Sequence, residues 1–194
     1  MSAFVEAGPA GQTLQRLLDP RSIAVIGISE GSGFADSARR SLAADAEFFF
    51  VHPRAERVFG HATYPDLASI GRSVDAVFSV VAAERTVDVV RDTVRIGAGG
   101  VVTVAGGYAE SGPEGLRLQQ AMAEHALAAN MPVIGPNGVG MVNVPRKLDL
   151  CILADFARRP GGLSVAMHSG AMIEALAASA WRAGGVGLNL MVSA

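Results

Sequence analysis

The chain has 194 residues, half of them hydrophobic and only 6% aromatic, with 16 basic against 18 acidic side chains and a net charge of −2. That length and composition suit one domain or one and a half, built on a core of Ala, Val, Leu and Ile. They exclude a basic stripe for nucleic acid and any apolar run near the roughly 20 residues that a membrane-spanning helix needs. The opening Met1-Ser2-Ala3-Phe4-Val5-Glu6 lacks a charged segment followed by an apolar one, so no signal peptide is expected. Residues 1–13 read as a loose arm, and Leu14 to Leu18 as a short helix stopped by Asp19-Pro20. Cys151 is the single cysteine. It excludes an internal disulfide, suits a reducing cytoplasm and reads as a small buried hydrophobe.

The run Ile23-Ala24-Val25-Ile26-Gly27 predicts a strand buried on both faces. Glycines follow at 27, 31 and 33, and then a helical stretch from Phe34 to Ala44. Strand, glycine-rich turn and helix make a corner whose backbone N–H groups and helix N-terminus face an anion. Glu47 to Val51 predicts a second strand, ending in His52-Pro53-Arg54. An excursion through Gly60 and Tyr64-Pro65-Asp66-Leu67 leads to a third strand over Val74 to Val81. Glu84 to Ile96 is amphipathic, and Val101 to Val104 predicts a fourth strand, followed by Gly106-Gly107-Tyr108.

Pro113 to Asn130 is the longest helical stretch, with Leu116, Leu118, Met122, Ala126 and Leu127 at near-helical spacing. Met131 to Ile134 predicts a fifth strand, closed by Gly135-Pro136-Asn137-Gly138-Val139-Gly140. This alternation predicts an α/β fold, a doubly wound parallel sheet with helices on both faces. From Met141 to Leu153 it lapses into short strand-like pieces. The turn-rich Arg158-Arg159-Pro160-Gly161-Gly162 marks a joint. We therefore expect one domain over residues 1–158. Residues 159–194 follow as a β-α-β unit: a strand over Leu163 to Met167, a helix over Ala171 to Ala183 capped by Gly184-Gly185, and a strand over Gly187 to Val192. Alone, that unit would cover the helix face of Met172, Leu176 and Trp181 poorly.

Three ligand classes compete for the glycine turn. A dinucleotide would want G-x-G-x-x-G and an acid ending the second strand. Here the spacing is G-x-x-x-G-x-G and the strand ends in His52-Pro53-Arg54, which disfavours NAD and leaves NADP open. A serine hydrolase would use Gly27-Ile28-Ser29-Glu30-Gly31 as its elbow. Its only base would be His168, beyond the joint, because His125 sits on a solvated helix face.

The third class is coenzyme A. The segments Ile23 to Ser29, Val51-His52-Pro53-Arg54, Gly60 with Tyr64-Pro65, Val104 to Glu110 and Ile134 to Gly140 occur in register. In that order they resemble the CoA-binding domain of the NDP-forming acyl-CoA synthetases, relatives of the succinyl-CoA synthetase α subunit. Val165 to Ala171 resembles the opening of that family's flavodoxin-like second domain, here truncated.

The resemblance implies that Gly27, Ser29, Gly31, Ser32 and Gly33 cradle CoA phosphates. It sets Pro53 and Arg54 by the adenosine 3′-phosphate, with Arg where the family has Lys. It lays Val81, Ala82 and Ala83 along the cofactor, Ala82 replacing a usual proline. Gly107, Tyr108 and Glu110 match the next turn. Pro136, Asn137 and Gly138 match the turn near the thiol, and Gly138 replaces a residue that is often cysteine.

The family moves a phosphoryl group on a histidine of its second domain, and none of His52, His61, His125 and His168 matches that position. The nucleotide-grasp domain has no counterpart here either, so neither a catalytic residue nor a metal site is implied. Ser169 and Gly170 open the last helix, either as a phosphate site or as a plain N-cap. The expected function is binding of CoA or acyl-CoA in the cytoplasm, as the front part of such a synthetase and not catalytic alone. A chain or domain carrying the rest is the implied partner. A stand-alone CoA-binding regulatory module and a homo-oligomer are both compatible with this reading.

Overall fold

A computed structural model describes residues 9–153, 158–182 and 185–193. The first eight residues of the expected arm, and Gly184 of the expected cap, lie outside the described residues. Helix α1 spans Pro9–Leu18, so Pro9 to Thr13 belong to a helix rather than to the arm. The run from Ile23 yields β1 (Ser22–Ile26), and α2 (Ala35–Ser41) follows the glycine turn.

Next come β2 (Glu47–Val51), two short strands missed in the sequence, β3 (Arg57–Val58) and β4 (His61–Tyr64), and then β5 (Ala76–Ser79). Helix α3 (Ala83–Arg95), β6 (Val101–Thr103), α4 (Pro113–Ala128) and β7 (Val133–Ile134) complete the first sheet. Its seven strands run in the order β3-β4-β2-β1-β5-β6-β7, with every pairing parallel except β3 with β4.

Successive strand residues face opposite layers. Ala24, Ile26, Phe49, Val77 and Val101 pack against Val90 of α3 and against Met122 and Ala126 of α4. Ile23, Val25, Phe50, Phe78 and Val102 pack against Leu17 of α1 and Ala38 of α2. Small residues bring α4 close to its neighbours: a Cβ on Gly115 would stand 1.9 Å from the Tyr108 carbonyl oxygen. Leu116 and Leu127, two of the residues at near-helical spacing, stay 44% and 76% exposed because the inner stripe falls on Gly115, Met122 and Ala126.

A second sheet takes β8 (Gly140–Asn143), β9 (Leu148–Cys151), β10 (Pro160–Met167) and β11 (Leu188–Ser193), in the order β10-β11-β8-β9. β10 and β11 are parallel, crossed over by α5 (Gly170–Arg182), and β11 pairs antiparallel with β8. The joint expected at 158 therefore does not separate the sheets. Residues 140–151, read with the first domain, are an antiparallel hairpin that gives β11 its neighbour. The β-α-β unit is not alone. Ile173, Ala177 and Ala180 are its buried helix stripe, and Met172 remains 60% exposed.

Met141, Leu148 and Leu150 carry the core of the first sheet into the hairpin. Cys151 is buried on β9. Desolvation, with the nearby Asp149 carboxylate, pushes its thiol up to about 11, so it stays protonated and packs as a hydrophobe. Among the described residues no helix is long and apolar enough to cross a membrane.

At the N-terminal strand ends, Asp75 accepts from Arg16 Nε at 2.9 Å, from the Arg21 and Ser22 N–H groups at 2.9 and 3.1 Å, and from the Ser22 hydroxyl at 3.1 Å. Burial alone would raise this carboxyl, but the Arg16, Arg21 and Ser22 bonds outweigh it and hold it below the usual range. A depressed carboxylate stabilises the fold above its unfolded pKa, and that contribution is lost as pH falls through the folded one. Urea midpoints should therefore decline below about pH 4, and Asp75→Asn should flatten that acid limb.

Candidate functional site

The chain leaves β1 for β2 on one side and returns to β5 on the other. A doubly wound sheet opens a crevice at the C-terminal ends of such a pair. Gly27 sits at that point with φ +86°, and a Cβ there would stand 2.7 Å from Val81 Cγ1. A cleft of about 590 Å³ opens beside it. Ile26, Gly27, Val51 and Val81 form the floor. Pro53 and Arg54 stand on one wall, and Ala82 and Arg85 on the other.

His52, quoted above only as part of a motif, shapes the Arg54 turn. Its Nδ1 accepts from the Arg54 and Ala55 N–H groups at 3.1 and 2.8 Å. A histidine ending a strand just before Pro-Arg could have been read as such a cap.

The glycine turn itself spans residues 27–34. The N–H groups of Ser32 and Ala35 bond back to Ser29 and Ser32. Among the described residues those of Gly31 and Gly33 have no hydrogen-bond partner, and a Cβ at either glycine would meet nothing within 4 Å. The Ser32 hydroxyl is shielded from solvent without a partner, a state that costs about 1–3 kcal/mol unless a ligand oxygen satisfies it. Ser29 is exposed, with no histidine bonded to its hydroxyl among the described residues, which gives the hydrolase reading no support. Glu30 accepts from the Phe59 N–H at 2.9 Å and ties the turn to the β3-β4 hairpin. Helix α2 has seven residues, no side-chain cap and Asp36 in its first turn. An acid in that first turn disfavours an anion at the helix end, which leaves the turn's own amides as the better donors.

The turn after β6 behaves differently. Glu110 Oε1 accepts from the Gly107 and Tyr108 N–H groups at 2.7 and 3.1 Å, which holds its carboxyl below the usual range. Those donors serve the turn itself. Tyr108 is fully buried, so its side chain is a core group rather than a ligand contact. Burial raises its phenol above the ordinary value. The Thr86 and Thr103 hydroxyls beside it pull the other way and are outweighed.

Asn137, at φ +56°, donates its N–H to Ala105 at 2.9 Å, and its Oδ1 and Glu110 Oε1 converge over Gly106. Pro136 follows a cis peptide from Gly135 and is half-buried beside Asn137. Gly138 is buried, and a Cβ on it would stand 2.4 Å from the Ser193 carbonyl oxygen. The Ser169 hydroxyl accepts from the Met172 N–H at 3.3 Å, which is the N-cap alternative. Gly170 packs on Val139, where a Cβ would come within 2.3 Å of Cγ1. Among the described residues no group of three His, Cys, Asp or Glu side chains could hold a metal ion.

These turns form one line along the strand ends. Gly27 abuts Val81, Gly107 faces Ala83, Gly106 faces Asn137, Gly138 meets Ser193 and Gly170 meets Val139. The CoA binding domain family matches residues 21–143, from the start of β1 to the end of β8. The chain belongs to the CoA binding domain family.

An ADP-forming acetate–CoA ligase I of Archaeoglobus fulgidus is 30% identical over 186 residues, covering 93% of this chain and 26% of that protein. A trans-feruloyl-CoA synthase of an unknown prokaryotic organism is 28% identical over 176 residues, covering 87% and 25% respectively. This CoA binding domain chain thus spans about a quarter of those relatives' length. It superimposes with TM-score 0.83 at 24% identity on a dinucleotide-forming acetyl-coenzyme A synthetase of Ca. Korarchaeum cryptofilum. The match covers 93% of this chain and 39% of that one, and it includes the Rossmann-like sheet.

Proposed function

We propose that the chain binds coenzyme A, or an acyl-CoA, extended along the C-terminal ends of its parallel strands. The observation that carries this is the continuous line of turns from Arg54 to Asn137. Such a line suits a long ligand with a charged nucleotide end and a slender arm. Arg54 takes the ribose 3′-phosphate as a fork-shaped donor. The amides of Gly31 and Gly33 and the orphan Ser32 hydroxyl take the diphosphate. Val81 and Ala82 guide the pantetheine arm past Gly107 towards Asn137 and Pro136, where the thiol would lie.

The two relatives are named for acyl groups as unlike as acetate and ferulate, yet both share this region at similar identity. That supports a role on the CoA side of a synthetase reaction. Acyl choice, nucleotide binding and phosphoryl transfer would fall to a partner domain or chain, in a cytoplasmic setting. When bound, CoA supplies the thiol that becomes the thioester. This chain's own residues hold and orient it.

Thermal-shift measurement with CoA, dephospho-CoA, NADP and NAD tests the proposal. CoA should raise the melting temperature and NAD should not. Arg54→Ala should weaken CoA by about 1–3 kcal/mol. Stabilisation by NADP with no response to CoA would overturn the assignment.

A further inference from the structure

The cleft beside Gly27 holds a cation that the resemblance does not use. Helix α3 lays one face along it. Arg85, Asp88, Val89 and Asp92 follow the i, i+3, i+4, i+7 spacing of a single stripe. The facing wall carries Arg54 and Asp66.

The cleft's three carboxylates are already engaged. Asp88 pairs with Arg91 at 2.6 Å. Asp92 pairs with Arg95 at 3.0 Å and lies 3.8 Å from Arg91. Asp66 accepts from the Ser69 N–H and hydroxyl at 2.8 and 2.7 Å, closing the turn after β4. Those bonds, the hydroxyl first, hold it below the usual carboxylate range.

Two guanidiniums are left, Arg54 on one wall and Arg85 on the other. Among the described residues neither has an ion pair or a side-chain hydrogen bond, and both are exposed. Like charges across one cleft repel until an anion lies between them. The amides of Gly31 and Gly33, which suit the diphosphate, are not part of this cleft. A phosphate monoester carries nearly two charges at neutral pH, which matches two forks.

We infer that Arg85 is the second cation for the ribose 3′-phosphate, gripping it from the side opposite Arg54 and setting the preference for CoA over dephospho-CoA. This rests on the CoA reading above. Calorimetry on the full chain, wild type against Arg85→Gln, Arg54→Gln and the double variant, tests it with CoA and with dephospho-CoA.

Arg85→Gln should weaken CoA about tenfold or more and leave dephospho-CoA unchanged. Arg85→Lys should restore part of the difference as a point charge. In the double variant the two ligands should bind alike. Arg85 is solvent-exposed, so matched melting temperatures should confirm that each variant folds. Equal loss for both ligands, or no loss for CoA, would overturn the inference while wild-type CoA binding stands. Wild type taking up neither ligand would sink the CoA reading and this inference together.

Discussion

Asp149→Ala should lower the unfolding free energy by about 3 kcal/mol or more, seen as a lower urea midpoint with an unchanged slope. The carboxylate is 1% exposed, in the middle of a four-residue strand that is otherwise apolar. Its Oδ2 meets Arg40 Nε at 2.8 Å and an Arg158 terminal nitrogen at 2.6 Å, and its Oδ1 meets Arg158 Nε at 3.0 Å. The Ser41 hydroxyl donates to the Asp149 carbonyl and accepts from its N–H, both at 2.8 Å.

Alanine would keep the backbone bonds and take the carboxylate from between two largely buried guanidiniums, the costly way to break such a group. Asp149→Asn should fall between wild type and alanine, because it keeps the shape and loses the charge. A loss below about 1 kcal/mol would mean that the trio behaves as an ordinary surface pair. Arg40 lies on α2, which the glycine turn feeds, so this clamp also braces the turn from behind.

Gly27→Ala should abolish measurable CoA binding at ligand levels that saturate the wild type, and should lower the melting temperature as well. Two costs add. A side chain at φ +86° meets the left-handed penalty of about 1–2 kcal/mol. The new methyl also presses on Val81, 2.7 Å from Cγ1 and 3.1 Å from its backbone N. Overpacking of that kind costs about 1–3 kcal/mol, and here the wall that shifts is one that would line the ligand. Gly31→Ala offers the contrast. Its position is open, with ordinary backbone angles, so the fold should stay intact and any loss should fall on binding alone. Calorimetry beside thermal melts separates the two. If Gly27→Ala binds CoA like wild type, the ligand does not cross the β1-β5 crevice.

The first sheet was legible because buried parallel strands leave unbroken apolar runs, as in Ile23 to Gly27 and Val101 to Val104. The β3-β4 hairpin was not. Strands of two and four residues at a sheet edge have no room for a pattern, and Arg57 and His61 face solvent. Leu116 and Leu127 stay outside because helical spacing picks out a stripe but not which side of it meets the sheet. Gly115 decided that, through an approach no local rule exposes.

At the site, Gly27, Arg54, Val81 and Ala82 could be read as strand-end residues and do share one cleft. Tyr108 and Gly138 could not be placed from spacing. One points into the core and the other leans on Ser193, a partner 55 residues downstream. Asp149 did leave a mark. A lone carboxylate in Leu148-Asp149-Leu150-Cys151 needs a counter-charge if that segment is inside.

The order β10-β11-β8-β9 bears on how the chain can be divided. Strand β11 closes a seam begun some 50 positions earlier by β8, so the two stretches share a single hydrogen-bonded ribbon across the Arg158 joint. A scissor placed at that joint would strip β8 of its outer mate and bare a row of amides beside Met141 and Val142, an invitation to sticky self-pairing. The natural unit for handling the first sheet is therefore one that keeps β11, however open the turn at Arg158 reads in the primary structure.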